Sequence, residues 1–185
     1  MENNESKKRK GVLSLTFCAI MAALGVGIIL VGGLIGVATY AAPLIASMCL
    51  IPVIYEFGSG RAWLAWLATA LLAALLSADK EAAAFYVFLG YYPIIRPVFN
   101  RIRPRALRLL VKFLYFAAVI LAMYALLCFV VKLDAVLYEI YSEAAWVNVL
   151  LFFALVAVML LYDAAVRAAE VVYLKRIRDK LRFLG

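Results

Sequence analysis

Histidine is absent from all 185 residues, and with it the commonest metal ligand and the side chain most suited to general-base work near neutral pH. Charge is scarce as well: Asp, Glu, Lys and Arg make up 16% of the chain, against about 25% in soluble domains. Cysteine is limited to Cys18, Cys49 and Cys128, each inside an apolar stretch and none in C-x-x-C spacing. They read as reduced packing residues, with no disulfide and no metal site. No G-x-x-x-x-G-K-[ST] occurs, so ATP hydrolysis does not reside here. With no metal-ligand cluster and no nucleophile–base pair, the expectation is a protein that is not an enzyme and needs no cofactor.

What fills the space is apolar. Hydrophobic residues are 69% of the chain and the mean hydropathy is +1.03, which marks an all-α integral membrane protein rather than a soluble domain. The net charge of +8 raises the question of nucleic acid. The basic residues, however, cluster between apolar segments and at the tails, where membrane topology explains them; no nucleic-acid partner is expected.

Six membrane-spanning helices follow from the pattern. Residues 1–10 are polar and basic and read as a disordered cytosolic tail. Residues 11–165 form the membrane domain, and 166–185 a basic amphipathic cytosolic tail. The first span, Val12–Val31, is too long for a cleaved signal segment, and Gly32, Gly33 and Gly36 suit the turn after it. The second runs from Leu34 to Tyr55, with Pro43 expected to kink it. The third is Arg61–Ser77. A charged triplet, Asp79-Lys80-Glu81, precedes a fourth segment, Ala82–Ile95, with only fourteen uncharged residues, whereas about 20 are needed to cross the hydrocarbon core. A basic loop from Arg96 to Arg108 follows, expected to stay out of the core. The fifth span is Leu109–Val131, its Lys112 reaching back to the surface. An acidic loop, Lys132–Glu143, leads to the sixth, Ala145–Tyr162. Beyond it Asp163 and Arg167 are spaced for a local i, i+4 pair.

Counting charges sets the orientation. With six spans and the N-terminus inside, the inner segments hold seventeen Lys and Arg, and the outer ones only Lys80 and Lys132. The positive-inside rule therefore places both termini in the cytoplasm. Asp79, Glu81, Asp134, Glu139 and Glu143 then face outward, where three connections converge.

Charge amid apolar surroundings is the best pointer to a site. Lys80 is a candidate for an anionic ligand group and Glu81 for a cationic one. Alternatively, Asp79 is an N-cap and its neighbours are solvated at a turn. Tyr86, deeper on the same helix, is placed to stack on a ring or simply to pack. Tyr40, Trp146 and Asn148 lie towards the same side. On the first span Ala19, Ala23 and Gly27 form a flat stripe at i, i+4, i+8, suited to close helix contact within the protein or with a partner.

The whole chain resembles the substrate-binding (S) component of an energy-coupling factor (ECF) transporter. The resemblance rests on the basic tail, the length, the six spans, the A-x-x-x-A at Ala19–Ala23, and the stretch from Asp79 through Phe-Leu-Gly-Tyr-Tyr-Pro-Ile-Ile to Arg96. It implies capture of a vitamin or other micronutrient in a bacterial cell membrane. A coupling membrane subunit and two cytosolic ATPases would be the partners, besides membrane lipids, with Ala19 and Ala23 on the docking face. It also implies that the outer connections at Gly32–Gly36, Asp79–Glu81 and Lys132–Glu143 close over the ligand. The competing expectation is a non-transport membrane protein whose basic inner surface serves interaction or assembly.

Overall fold

The computed structural model describes residues 2–35, 38–126 and 145–177. Regular structure among them is helical throughout, with no strand. In chain order the helices are α1 (Glu2–Leu34), α2 (Ala41–Met48), α3 (Leu50–Phe57), α4 (Ser59–Leu76), α5 (Lys80–Leu89), α6 (Tyr92–Asn100), α7 (Arg105–Leu126) and α8 (Ala145–Val172), which ends in a π-helical turn, Tyr173–Ile177. Among the described residues five stretches are long and apolar enough to cross a membrane: Gly11–Leu34, Ser59–Leu76, Lys80–Asn100, Arg105–Met123 and Phe152–Arg176. A shorter apolar stretch, Ala41–Phe57, joins α2 to α3. This is the architecture of a multi-pass membrane protein.

The chain divides into two compact units. The first comprises Met1–Ile95 and Val166–Gly185. Its polarity is inverted relative to a soluble domain. On α4 the buried residues are Ala62, Ala65, Thr69, Ala70 and Ala73, while Leu64, Leu67, Leu71, Leu75 and Leu76 point outward. Small residues inside let helix backbones approach where lipid supplies no hydrophobic drive, and leucines outside meet acyl chains. Three buried Ser and Thr hydroxyls are satisfied locally, as an apolar interior demands: Ser14 donates to Gly11 O, Ser47 to Leu44 O and Thr69 to Ala65 O.

α1 shows the same logic. Cys18, Ala22, Val26 and Ile29 are buried, and Gly25 and Gly32, two turns apart, share their face. A Cβ on Gly25 would lie 3.3 Å from Thr69 Cγ2, and one on Gly32 would overlap the Cβ of Ala42. Gly32 and Gly33 are therefore helical and serve close packing, not the turn expected of them; Gly36 lies outside the described residues. The helix also takes in residues 2–10, the segment expected as a disordered tail.

Two proline effects differ from expectation. The second span breaks at Cys49 rather than near Pro43. Pro43 occupies the first turn of α2, where its missing N–H costs nothing, whereas Pro52 removes a bond to the carbonyl four residues back, at Met48. In the fourth segment the helix breaks at Gly90–Tyr91 and then resumes. It runs past Arg96 to Asn100 with Pro97 inside, so the basic loop shrinks to residues 101–104.

The second unit, Arg96–Ala165, holds the end of α6, α7 and most of α8. Phe116, Val119, Ile120 and Met123 of α7 and Val156, Met159 and Tyr162 of α8 are buried. Phe99 and Tyr115 have ring centroids 5.1 Å apart, and Phe113 and Phe153 6.4 Å apart.

Candidate functional site

In the first unit the charged triplet is held by hydrogen bonds at the junction of α4 and α5. Asp79 is an N-cap: its Oδ1 accepts from Glu81 N at 3.0 Å and Ala82 N at 3.2 Å, satisfying two of the amides that a helix start leaves open. Ser77 donates its hydroxyl to Asp79 O at 2.9 Å. Lys80 turns the other way. Its Nζ donates to Ser77 O at 2.9 Å and Ala74 O at 3.1 Å, placing a cation on the carbonyl end of α4, where the helix dipole favours it. Replacing Asp79 with Ala is expected to cost about 1 kcal/mol and to speed hydrogen exchange at residues 81–83, read by mass spectrometry in detergent. Unchanged exchange there would remove the capping role.

Glu81 does something different. Its Oε2 accepts a hydrogen bond from the Tyr40 hydroxyl at 3.1 Å, and the Tyr40 ring lies 4.8 Å from that of Phe85. Gly33 sits close by, since a Cβ there would come within 3.2 Å of Asp79 Cβ. The connection after α1 is thus clasped to the one after α4. Tyr86 is not part of this surface. It is 1% exposed, packed with Ile29, Ala46, Ala70, Ala73, Ala82 and Ala83, and Thr69 partners its hydroxyl. Trp146 and Asn148 belong to the first turn of α8, with side chains outside the described residues, as is the whole of Lys132–Glu143. Among the described residues, then, Tyr40, Asp79, Lys80 and Glu81 come together.

The stripe on α1 lies beside its packed face. Ala19 and Ala23 are exposed and Gly27 half-buried, and a Cβ on Gly27 would meet nothing within 4 Å.

The second unit holds a feature that local spacing rules miss. Asp163 of α8 accepts from Arg96 Nε at 2.9 Å through Oδ1 and from Lys112 Nζ at 2.6 Å through Oδ2. Arg96 and Lys112 are each 3% exposed and Asp163 8%. Arg167, the partner expected for Asp163, is exposed. Three helices are therefore joined by one carboxylate and two cations. In low dielectric such a cluster holds only with close geometry, because each charge forfeits its hydration. The signal in the sequence was the position of Lys112 and Asp163 inside apolar helical runs, which in a membrane usually marks a paired charge.

The described residues contain no group of three or more His, Cys, Asp or Glu side chains able to hold a metal ion. Comparison of the chain with protein-family models, with curated proteins and with solved structures finds no match. The class of the protein accordingly rests on its own architecture: apolar helices in multi-pass arrangement, a clasp between two connections and a buried charge cluster.

Proposed function

We propose that the protein is the membrane-embedded substrate-capture subunit of an ECF-type importer, binding a vitamin or similar small micronutrient and energised by separate coupling and ATPase subunits. In this reading six spans place both termini in the cytoplasm of a bacterial cell, and the clasped connections belong to the outer face. The observation that carries the reading is the two-sidedness of α1. One face is packed through Cys18, Ala22, Gly25, Val26, Ile29 and Gly32, while Ala19, Ala23 and Gly27 leave a flat strip outside it, shaped for close approach of a partner helix. The Tyr40–Glu81 bond supports it by joining two of the connections that a ligand lid requires.

Ala19→Trp/Ala23→Trp tests the docking face directly. Co-expressed with a coupling subunit and its ATPases, the wild-type chain is expected to co-purify as a complex. The double variant is expected to remain folded and to lose that complex by about tenfold or more, since each indole adds bulk to a surface that requires close approach. Normal assembly of the double variant would sink the assignment. Native mass spectrometry of the purified protein, scanning for a retained small molecule, identifies the substrate class. The alternative, a non-transport interaction protein, predicts neither a complex nor a retained molecule.

A further inference from the structure

The turn joining α6 to α7 and the first turns of α7 carry Arg101, Arg103, Arg105 and Arg108 within eight residues. Arg101, Arg103 and Arg105 are exposed and Arg108 is half-buried. Together with Arg96 and Lys112 they give the described part of the second unit six cations, against one carboxylate, Asp163. That carboxylate is engaged deep in the helices with Arg96 and Lys112. The four turn arginines therefore form a strong positive field at one end of two apolar helices.

Three aspects give this field a particular chemistry. First, Arg105, Arg108 and Lys112 fall at i, i+3 and i+7, so they share one face of α7. Exposure falls along that face, from exposed Arg105 to half-buried Arg108 to buried Lys112. Like charges at such spacing repel; Lys112 has Asp163 as its counter-ion, and an added anion relieves Arg105 and Arg108. Second, the arginines stand at the amino end of a 22-residue helix that has no acidic residue in its first turn. The helix dipole adds positive potential there and so disfavours the arginines in isolation. Third, the side chains are arginine rather than lysine, and the guanidinium fork matches two oxygens of a phosphate while remaining weakly hydrated. Val98, Leu107, Leu109 and Leu110 are exposed around the turn, so apolar chains and charged groups are both accommodated.

We propose that this arginine turn is a binding site for the phosphodiester headgroup of an anionic phospholipid, with the acyl chains lying against the exposed aliphatic residues of α6 and α7. The site is independent of substrate capture. It fixes one end of the second unit at the membrane surface, and it requires guanidinium groups, not merely positive charge.

The test uses the full chain in detergent micelles, titrated with phosphatidylglycerol or with phosphatidylcholine and read by native mass spectrometry as bound-lipid fraction. Wild type is expected to retain phosphatidylglycerol at least about tenfold better than phosphatidylcholine, given the attraction each arginine adds at an anionic surface. R101Q/R103Q/R105Q/R108Q is expected to abolish that preference. K7Q/K8Q/R9Q/K10Q, which removes the same charge from the amino-terminal segment, is expected to keep it. The all-lysine variant of the turn retains the charge but lacks the fork that grips two phosphate oxygens, and is expected to retain several-fold less phosphatidylglycerol than wild type. Inorganic phosphate should not compete at concentrations matching the lipid. Equal retention of both lipids by wild type, equal loss in the two glutamine variants, or full retention by the lysine variant would each overturn the proposal. So would a turn that binds an acidic protein partner while ignoring lipid. Circular dichroism confirms that each variant keeps its helix content before its binding is scored.

Discussion

Asp163→Ala is expected to be the most damaging single substitution in the chain. The aspartate bridges two buried cations, Arg96 and Lys112, through bonds of 2.9 and 2.6 Å. Removing one partner of a buried pair typically costs about 3–5 kcal/mol; here one substitution breaks two such bonds at once. The protein is expected to lose its thermal transition in detergent or to elute as aggregate. The companion experiment separates charge from shape. Asp163→Leu with Arg96→Met and Lys112→Met removes all three charges and keeps the volume. Apolar replacement of a complete buried ionic cluster is often neutral or stabilising, so the triple variant is expected to recover a cooperative melt near wild type. A triple variant as unstable as Asp163→Ala would mean that the cluster contributes specific bonds beyond charge balance. Arg167→Ala, by contrast, is expected to leave the melt unchanged, because that side chain is exposed.

Gly32→Val is the second large effect. Even a methyl on Gly32 would overlap Ala42 Cβ, and both neighbours belong to helices that cannot part without breaking other contacts. Overpacking of this kind costs about 1–3 kcal/mol or more. The expected result is a melting transition lowered by several degrees for Gly32→Ala and loss of folded protein for Gly32→Val. Ala42→Gly vacates the volume that the added methyl needs. The double variant Gly32→Ala/Ala42→Gly is therefore expected to regain most of the stability lost by Gly32→Ala, and an additive outcome would show that the two helices do not meet there. Gly27→Ala, outside the packed face, is expected to be neutral or slightly stabilising because helix propensity improves with nothing nearby to displace.

These outcomes bear on what the sequence reveals. Helical content and the apolar spans are legible because they follow from composition over long windows, where charge and hydropathy average out errors. Asp79 as an N-cap was one of two readings open from the sequence, and the structure selects it for that residue. The failures are specific. Gly32 and Gly33 look like a turn because glycine permits one, yet the same missing Cβ also permits contact between helices, and spacing alone does not say which use is made. Arg96 reads as loop from the sequence because a charge ordinarily ends a span. It is retained in the helix because a distant carboxylate compensates it. Asp163 pairs with Arg167 on periodicity because only local partners can be read that way; the partners found are 67 and 51 residues away. The clasp between Tyr40 and Glu81, 41 residues apart, was likewise out of reach as a bond, although both residues were singled out individually.

The order of synthesis gives the charge cluster a temporal dimension. Arg96 and Lys112 leave the ribosome well before Asp163, which follows 67 and 51 residues later. At translation rates of about 5–20 residues per second, their carboxylate arrives roughly 3–13 seconds after Arg96 is made. Throughout that interval neither cation has the Asp163 carboxylate that accompanies it in the folded unit. The cluster therefore closes only once α8 has been made, so the last described helix sets the time at which the second unit can complete its charge arrangement.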